Sequence, residues 1–293
     1  MRILHLDAGK EMRGGQWQVL RLIEGLAAEG VASTLLARDA TPLFEAARQR
    51  GCQVEILRPA RVAALARSHD LVHAHDARSH TIAALLGSAP LVVARRVAFP
   101  VGSRWKYARA RRYIAVSAFV KAVLRQGGVP EEKIAVVYDG VPLLEPAHGA
   151  AVLALANAAD AQKGAPLAEE AARLAGVPLR WTTDLEGDLR DAALFVYITY
   201  SEGLGSASLL AMSAGVPVIA SRVGGLPEII RDGENGLLVD NTAPAIAEVI
   251  RKFTDSPDLA ARLGLAARQS VQENFTIGRM VRRTMEVYRQ VLT

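Results

Sequence analysis

The chain has 293 residues, 51% of them apolar and 22% charged, with a formal net charge of +5. This length implies about two domains, and a composition with no low-complexity tract excludes a disordered polymer. One cysteine, Cys52, excludes an internal disulfide and suits a reducing compartment, where a buried and inert thiol is expected.

The opening "MRILHLDAGK" reaches a charge after only a few apolar residues and does not read as a secretory signal. Within it, "RILHL" is the first strand. A glycine turn follows, and a helix opens after Gly14 and Gly15 with Val19, Ile23 and Leu26 on one side. Backbone amides at such a helix start are ready for an anion, with Gln16 beside them. The runs "STLLA", "QVEIL", "DLVHAH", "PLVVA", "YIAVS" and "KIAVVY" continue the strands between amphipathic stretches, which predicts a parallel sheet covered by helices on both faces. His73 and His75 alternate on one face of the fourth strand. They read either as a metal pair, for which no third ligand follows at convincing spacing, or as polar contacts to a ligand.

No Asp or Glu occurs between Asp76 and Glu131, while Arg78, Arg95, Arg96, Arg104, Lys106, Arg109, Arg111, Arg112, Lys121 and Arg125 do. A face of one sign suits anionic lipid, polyphosphate or nucleic acid, and equally an ordinary solvated surface. Phe99, Trp105, Tyr107 and Tyr113 lie in it without a recognisable nucleic-acid module, so nucleic acid is the least expected partner.

A Gly/Pro-bearing linker from Asp139 to Gly149 ends the first domain, taken as 1–144. A second α/β domain, 145–274, has "AVLALA", "PLRWT", "LFVYI", "VPVIA" and "GLLV" as strands. Residues 275–293 form a last helix with Met280, Met285, Tyr288 and Leu292 apolar, able to pack on either domain. The longest uncharged stretch, Gly203 to Ser221, has the length of a membrane span, but its glycines and proline favour a turn, helix and strand.

Inside that stretch, "SEGLG" precedes the helix "SASLLAMSA". The helix start presents unpaired amides and a positive dipole end, with Ser206 or Ser208 able to cap it or touch a phosphate oxygen. Glu202, at the end of a strand, can accept hydrogen bonds from sugar hydroxyls or lie solvated in a loop. Lys163, in "AQKG", is a point charge suited to phosphate. No Asp-x-Asp pair, G-x-x-x-x-G-K-[ST] loop, G-x-S-x-G elbow or Cys-x-x-Cys is present, which argues against ATPase, α/β-hydrolase and zinc-module readings.

Together "GGQWQVLRLIEGLAAEG", "DLVHAHD", "YIAVSAFVKAVLRQGGVPEEKIAVVYDGV" and "AALFVYITYSEGLGSASLLAMSAGVPVIASRVGGLPEIIRDGENGLLVD" resemble the GT-B glycosyltransferases of family 4 over nearly the whole chain. The resemblance implies two Rossmann-like α/β domains facing across a cleft, and transfer of a sugar from a nucleotide-sugar with retained configuration and no essential metal or cofactor. It implies that Gly14 and Gly15 lie near the donor diphosphate and the acceptor, and that His75 contacts the transferred sugar. Lys163 matches a lysine that neutralises diphosphate, Glu202 the first acid of the E-x7-E motif, and the amides of Leu204, Gly205 and Ser206 a phosphate cradle. The implied partners are a nucleotide-sugar and a glycan or lipid-linked acceptor, met at the cytoplasmic face of an anionic membrane through Arg95 to Arg112. Three departures go with it. Leu210 stands where the second acid is expected, Asn157 and Ala158 stand where the family has Gly-Arg, and the second domain is short by about one strand and helix. These departures raise a non-catalytic binding protein as the alternative, with a sugar-nucleotide epimerase on the same architecture ranked lower.

Overall fold

The computed structural model describes residues 1–156 and 163–293, with every side chain among them except that of Arg104. They fold as two units, Met1–Gly140 with Ile277–Thr293, and Val141–Thr276. The crossings therefore fall at 140 and 276 rather than at 144 and 274. The reason is local. The Val141 amide donates to the Phe275 carbonyl at 2.9 Å, and Val141 pairs with Thr276 in a short parallel bridge.

The first unit alternates β1 (Arg2–Asp7), α1 (Gly14–Ala28), β2 (Ala32–Ala37), α2 (Pro42–Gln49), β3 (Val54–Ile56), α3 (Pro59–Leu65) and β4 (Leu71–Ala74). It continues with α4 (Ala77–Leu86), β5 (Leu91–Arg95), α5 (Arg104–Arg109), β6 (Arg112–Ala115), α6 (Ala118–Gln126) and β7 (Ile134–Val136). The strands form one parallel sheet in the order β3-β2-β1-β4-β5-β6-β7. Parallel strands need crossover helices, which cover both faces, so β1 and β4 are buried without alternation. Cys52, expected to be buried, is only half-buried, because it lies in the short connection between α2 and β3; partial burial pushes its thiol pKa up and keeps it protonated.

The second unit runs β8 (Ala151–Leu155), α7 (Ala165–Ala175), β9 (Leu179–Thr182), α8 (Leu185–Asp188), β10 (Ala192–Tyr197) and α9 (Ser206–Ser213). After these come β11 (Val218–Ser221), α10 (Leu226–Ile229), β12 (Leu237–Val239), α11 (Ala243–Thr254) and α12 (Pro257–Asn274). Its parallel sheet has the order β12-β11-β10-β8-β9 over a core of Leu194, Val196, Ile219, Ile246, Ile250 and Leu263. The uncharged stretch from Gly203 to Ser221 is a turn, α9 and β11. Among the described residues no helix is long and apolar enough to cross a membrane.

The last helix, α13 (Ile277–Leu292), belongs to the first unit. Met280, Met285 and Tyr288 enter the same core as Ile3, Leu22, Leu26 and Leu71, whereas Leu292 is exposed because the final turn runs past that core. The helix approaches α1 so closely that a Cβ on Gly25 would lie 2.4 Å from Val281 Cγ2. Only a glycine fits there.

In each sheet the strand order reverses once, between β1 and β4 in the first unit and between β8 and β10 in the second. Crevices at the carboxyl ends of such strands are where open α/β sheets take ligands.

Candidate functional site

At the reversal in the first sheet, Asp7 ends β1 and Asp76 follows β4. Asp76 caps α4 by accepting from the amides of Arg78 at 2.8 Å and Ser79 at 3.0 Å, and it also accepts from the Ala8 amide at 2.7 Å. Asp7 accepts from the Gly9 amide at 2.8 Å and from Gln16 Nε2 at 3.2 Å, so the first turn of α1 is tied to the end of β1. Burial, reinforced by the Asp76 charge, pushes the Asp7 carboxyl up to about 6. Gly14 and Gly15 form that first turn, and Gly15 faces the Arg96 side chain.

Parallel pairing of β1 with β4 sets His5 opposite His73, and His75 lies beyond them, so three buried imidazoles offer nitrogens within 4.8 Å of one another. The expectation that His73 and His75 lack a third neighbour is therefore corrected. Sheet register brings His5 in, and linear spacing does not encode it. Their hydrogen bonds have a direction. A guanidinium can only donate, so Arg96 Nη1, 3.4 Å from His75 Nδ1, makes that nitrogen an acceptor. His75 Nε2–H then donates to His5 Nδ1 at 3.0 Å. Both His75 nitrogens are thus committed, and the adjacent cation disfavours a metal at this cluster. The ring expected to reach a ligand is buried, because Arg96, itself paired with Asp139 at 3.5 Å, draws it inward. His73 is fixed from the other side by Tyr288 of α13, whose hydroxyl lies 2.6 Å from His73 Nδ1.

At the reversal in the second sheet, Lys163 follows β8 and Glu202 follows β10. The short bridge between Lys163 and Thr199, with the Gly164 amide donating to the Ile198 carbonyl at 2.9 Å, brings the two loops together. Lys163 Nζ is 2.8 Å from Glu202 Oε2 and 2.8 Å from the Tyr197 hydroxyl. That hydroxyl donates in turn to Glu202 Oε2, and the Gly203 amide donates to Glu202 Oε1 at 3.0 Å. Glu202 is therefore neither solvated nor loose.

Beyond it the chain turns through Leu204, which is buried, and Gly205, at φ +107°, into α9. Gly205, at the N-cap of α9, has no side chain with which to cap it. Ser208, expected to cap the helix or meet phosphate, points into the protein instead: it is fully buried, since the third residue of α9 faces the core. Ser206 stays at the helix start. Leu210 is also buried, so the position expected to carry a second acid is apolar core. Asn157 and Ala158 lie outside the described residues.

Two family models match this chain: Glycosyltransferase Family 4 over residues 12–143 and Glycosyl transferases group 1 over residues 179–270. The chain belongs to the GT-B group 1 glycosyltransferases. Among relatives of this GT-B chain, the D-inositol 3-phosphate glycosyltransferase of Streptomyces scabiei is 44% identical over 100 residues, 34% of this chain and 22% of the relative. The alpha-maltose-1-phosphate synthase of Mycolicibacterium smegmatis is 36% identical over 110 residues, 35% of this chain and 28% of the relative. The matched stretch thus spans about a quarter of the curated relatives. The crystal structure of Anabaena HepE in complex with UDP and glucose superposes with a TM-score of 0.88 at 16% identity, covering 99% of this chain and 100% of that one, which establishes the GT-B architecture.

The structure brings Lys163 and Glu202 into contact and sets Leu204, Gly205 and Ser206 in the adjoining turn. It adds Tyr197, His5, Asp7, Arg96 and Tyr288, which the sequence reading missed. A signal existed for Tyr197: a hydroxyl at the end of an otherwise apolar strand, five residues before Glu202. For the others there was none in the linear sequence.

Proposed function

We propose that this chain transfers a glycosyl group from a nucleoside-diphosphate sugar to a glycan or lipid-linked acceptor, with retained configuration and without a metal ion. The observation that carries the reading is the Lys163–Glu202 pair at the strand-order reversal of the second sheet, just before the start of α9. Departure of a nucleoside diphosphate builds negative charge. In this reading the Lys163 ammonium and the positive end of α9, which opens four residues after Glu202, stabilise that charge more in the transition state than in the ground state, which is the work a metal would otherwise perform. Glu202 accepts hydrogen bonds from sugar hydroxyls and orients the sugar. Gly14 and Gly15 keep their implied place near the donor diphosphate in this reading, whereas His75, buried and bonded at both nitrogens, is given no contact with the sugar.

Exposed Val97, Phe99 and Trp105 beside exposed Arg109 and Arg111 support contact with an anionic membrane surface that carries a lipid-linked acceptor. Arg95 is no part of that surface: it is buried and donates to the Phe99 carbonyl.

The test is release of nucleoside diphosphate from UDP-, GDP- and ADP-sugars. The wild-type chain is expected to release it, and Lys163→Ala to slow release by about 100-fold, the usual cost of removing one charge-stabilising donor. No release with no saturable nucleotide binding sinks the reading. Binding without release favours the alternative, a non-catalytic relative, which the buried Leu210 supports.

A further inference from the structure

Three hydrogen-bond donors converge on the Glu202 carboxylate: the Lys163 ammonium, the Tyr197 hydroxyl and the Gly203 amide. That set has the composition of an oxyanion site, with a point charge, a hydroxyl and a backbone N–H. Its occupant is the side chain of the neighbouring residue. Tyr197 is the member to which the family resemblance gives no role. It is buried at the end of β10, its ring stacks on Phe195, and the Lys163 ammonium lies 4.9 Å from its ring centre as well as 2.8 Å from its hydroxyl.

We propose that Tyr197 is a further donor-binding residue, and that Lys163, Tyr197 and the Gly203 amide form a phosphate subsite in which the Glu202 carboxylate stands in for a phosphate oxygen of a nucleoside diphosphate. This rests on the donor reading above. The incoming phosphate and the Glu202 carboxylate are both anions seeking the same three donors, so they exclude one another. When phosphate takes the subsite, Glu202 swings off Lys163 and both of its oxygens turn to sugar hydroxyls. One exchange thereby couples arrival of the diphosphate to recognition of the sugar. Lys163 never loses a counter-anion during the exchange, which avoids leaving a part-buried ammonium unpaired.

The test is isothermal titration of the full-length chain with UDP, GDP and ADP. Glu202→Gln keeps the shape of the side chain and removes the competing charge. With the nucleotide that wild type binds, it is expected to tighten binding by about tenfold or more, the worth of one hydrogen bond to a charged group. Tyr197→Phe placed on top of Glu202→Gln removes one oxygen and is expected to cancel most of that gain, while Glu202→Ala serves as the second competitor-free variant. If wild type binds a nucleotide and both Glu202 variants bind it equally or more weakly, the exchange is overturned and the donor reading stands. If no nucleotide binds wild type or either Glu202 variant, the donor reading itself is overturned, and the subsite with it.

Discussion

Burial holds His5, His73 and His75 neutral, with His5 lowered to about 3 and the other two well below the ordinary imidazole range. Desolvation is the largest cause in each case, and neighbouring imidazole or guanidinium charge adds to it. The folded values lie below the unfolded value of 6.5, so the stability these rings contribute is present above pH 6.5 and is lost as the pH falls, when the unfolded chain takes up protons that the folded one refuses. Asp7 acts in the opposite sense. Its folded value of about 6 exceeds the unfolded 3.8, so its contribution is complete below pH 3.8 and is lost as the pH rises to 6. Each proton is worth about 1.4 kcal/mol per pH unit, and three rings outweigh one carboxyl. The first unit is expected to lose stability steeply between pH 6.5 and 5. Hydrogen exchange of the β1 and β4 amides at pH 7, 6 and 5, corrected for the intrinsic pH dependence of exchange, reads this directly, and protection that holds steady or rises toward pH 5 contradicts it.

The same residues show what a linear reading reaches. Lys163, Glu202 and Gly205 stand out because each sits at a turn after a strand, where residue type and chain position together indicate chemistry. His5 does not, since its partners are 68 and 70 positions away and only the register of a parallel pair unites them. Arg96 is hidden in a basic run. Nothing in its neighbours tells that it turns inward to His75 and Asp139 while Arg109 and Arg111 face water.

At the scale of elements, inner strands such as β1, β4, β5 and β11 are legible as short apolar runs because parallel strands are buried on both faces. Short elements are not: α8 and α10, four residues each, carry no period. The turn into α9 depends on one backbone position. Gly205 adopts φ +107°, and a Cβ there would lie 2.6 Å from Leu226 Cδ2 and 3.3 Å from Ile229 Cδ1. Strained backbone and crowding combine, so Gly205→Ala is expected to destabilise the second unit by about 2–3 kcal/mol. Urea unfolding measures it. A loss below about 0.5 kcal/mol, the scale of an ordinary surface substitution, means that the turn relaxes and that the amides of 204 to 206 are not held by this geometry.

At the scale of the whole molecule, the chain leaves the first unit at Gly140 and returns at Ile277, so the two units are unequal in their dependence on continuity. The second is one uninterrupted segment with its own sheet and core. The first borrows α13 from the far end of the sequence. Met280, Val281, Met285, Val287 and Tyr288 are buried there, and Tyr288 also closes on His73. At roughly 1.5–3 kcal/mol for each large apolar side chain removed from water, withdrawing α13 costs about 8–15 kcal/mol, as much as the whole stability of an ordinary domain. A chain ending at Thr276 is therefore expected to keep a folded second unit and lose the first. The fragment 141–276 is expected to unfold cooperatively by itself, and 1–140 only after addition of a peptide spanning 277–293. Circular dichroism on the two fragments, with and without that peptide, decides the matter: native-like cooperative unfolding of 1–140 alone means that α13 merely covers a core which closes without it.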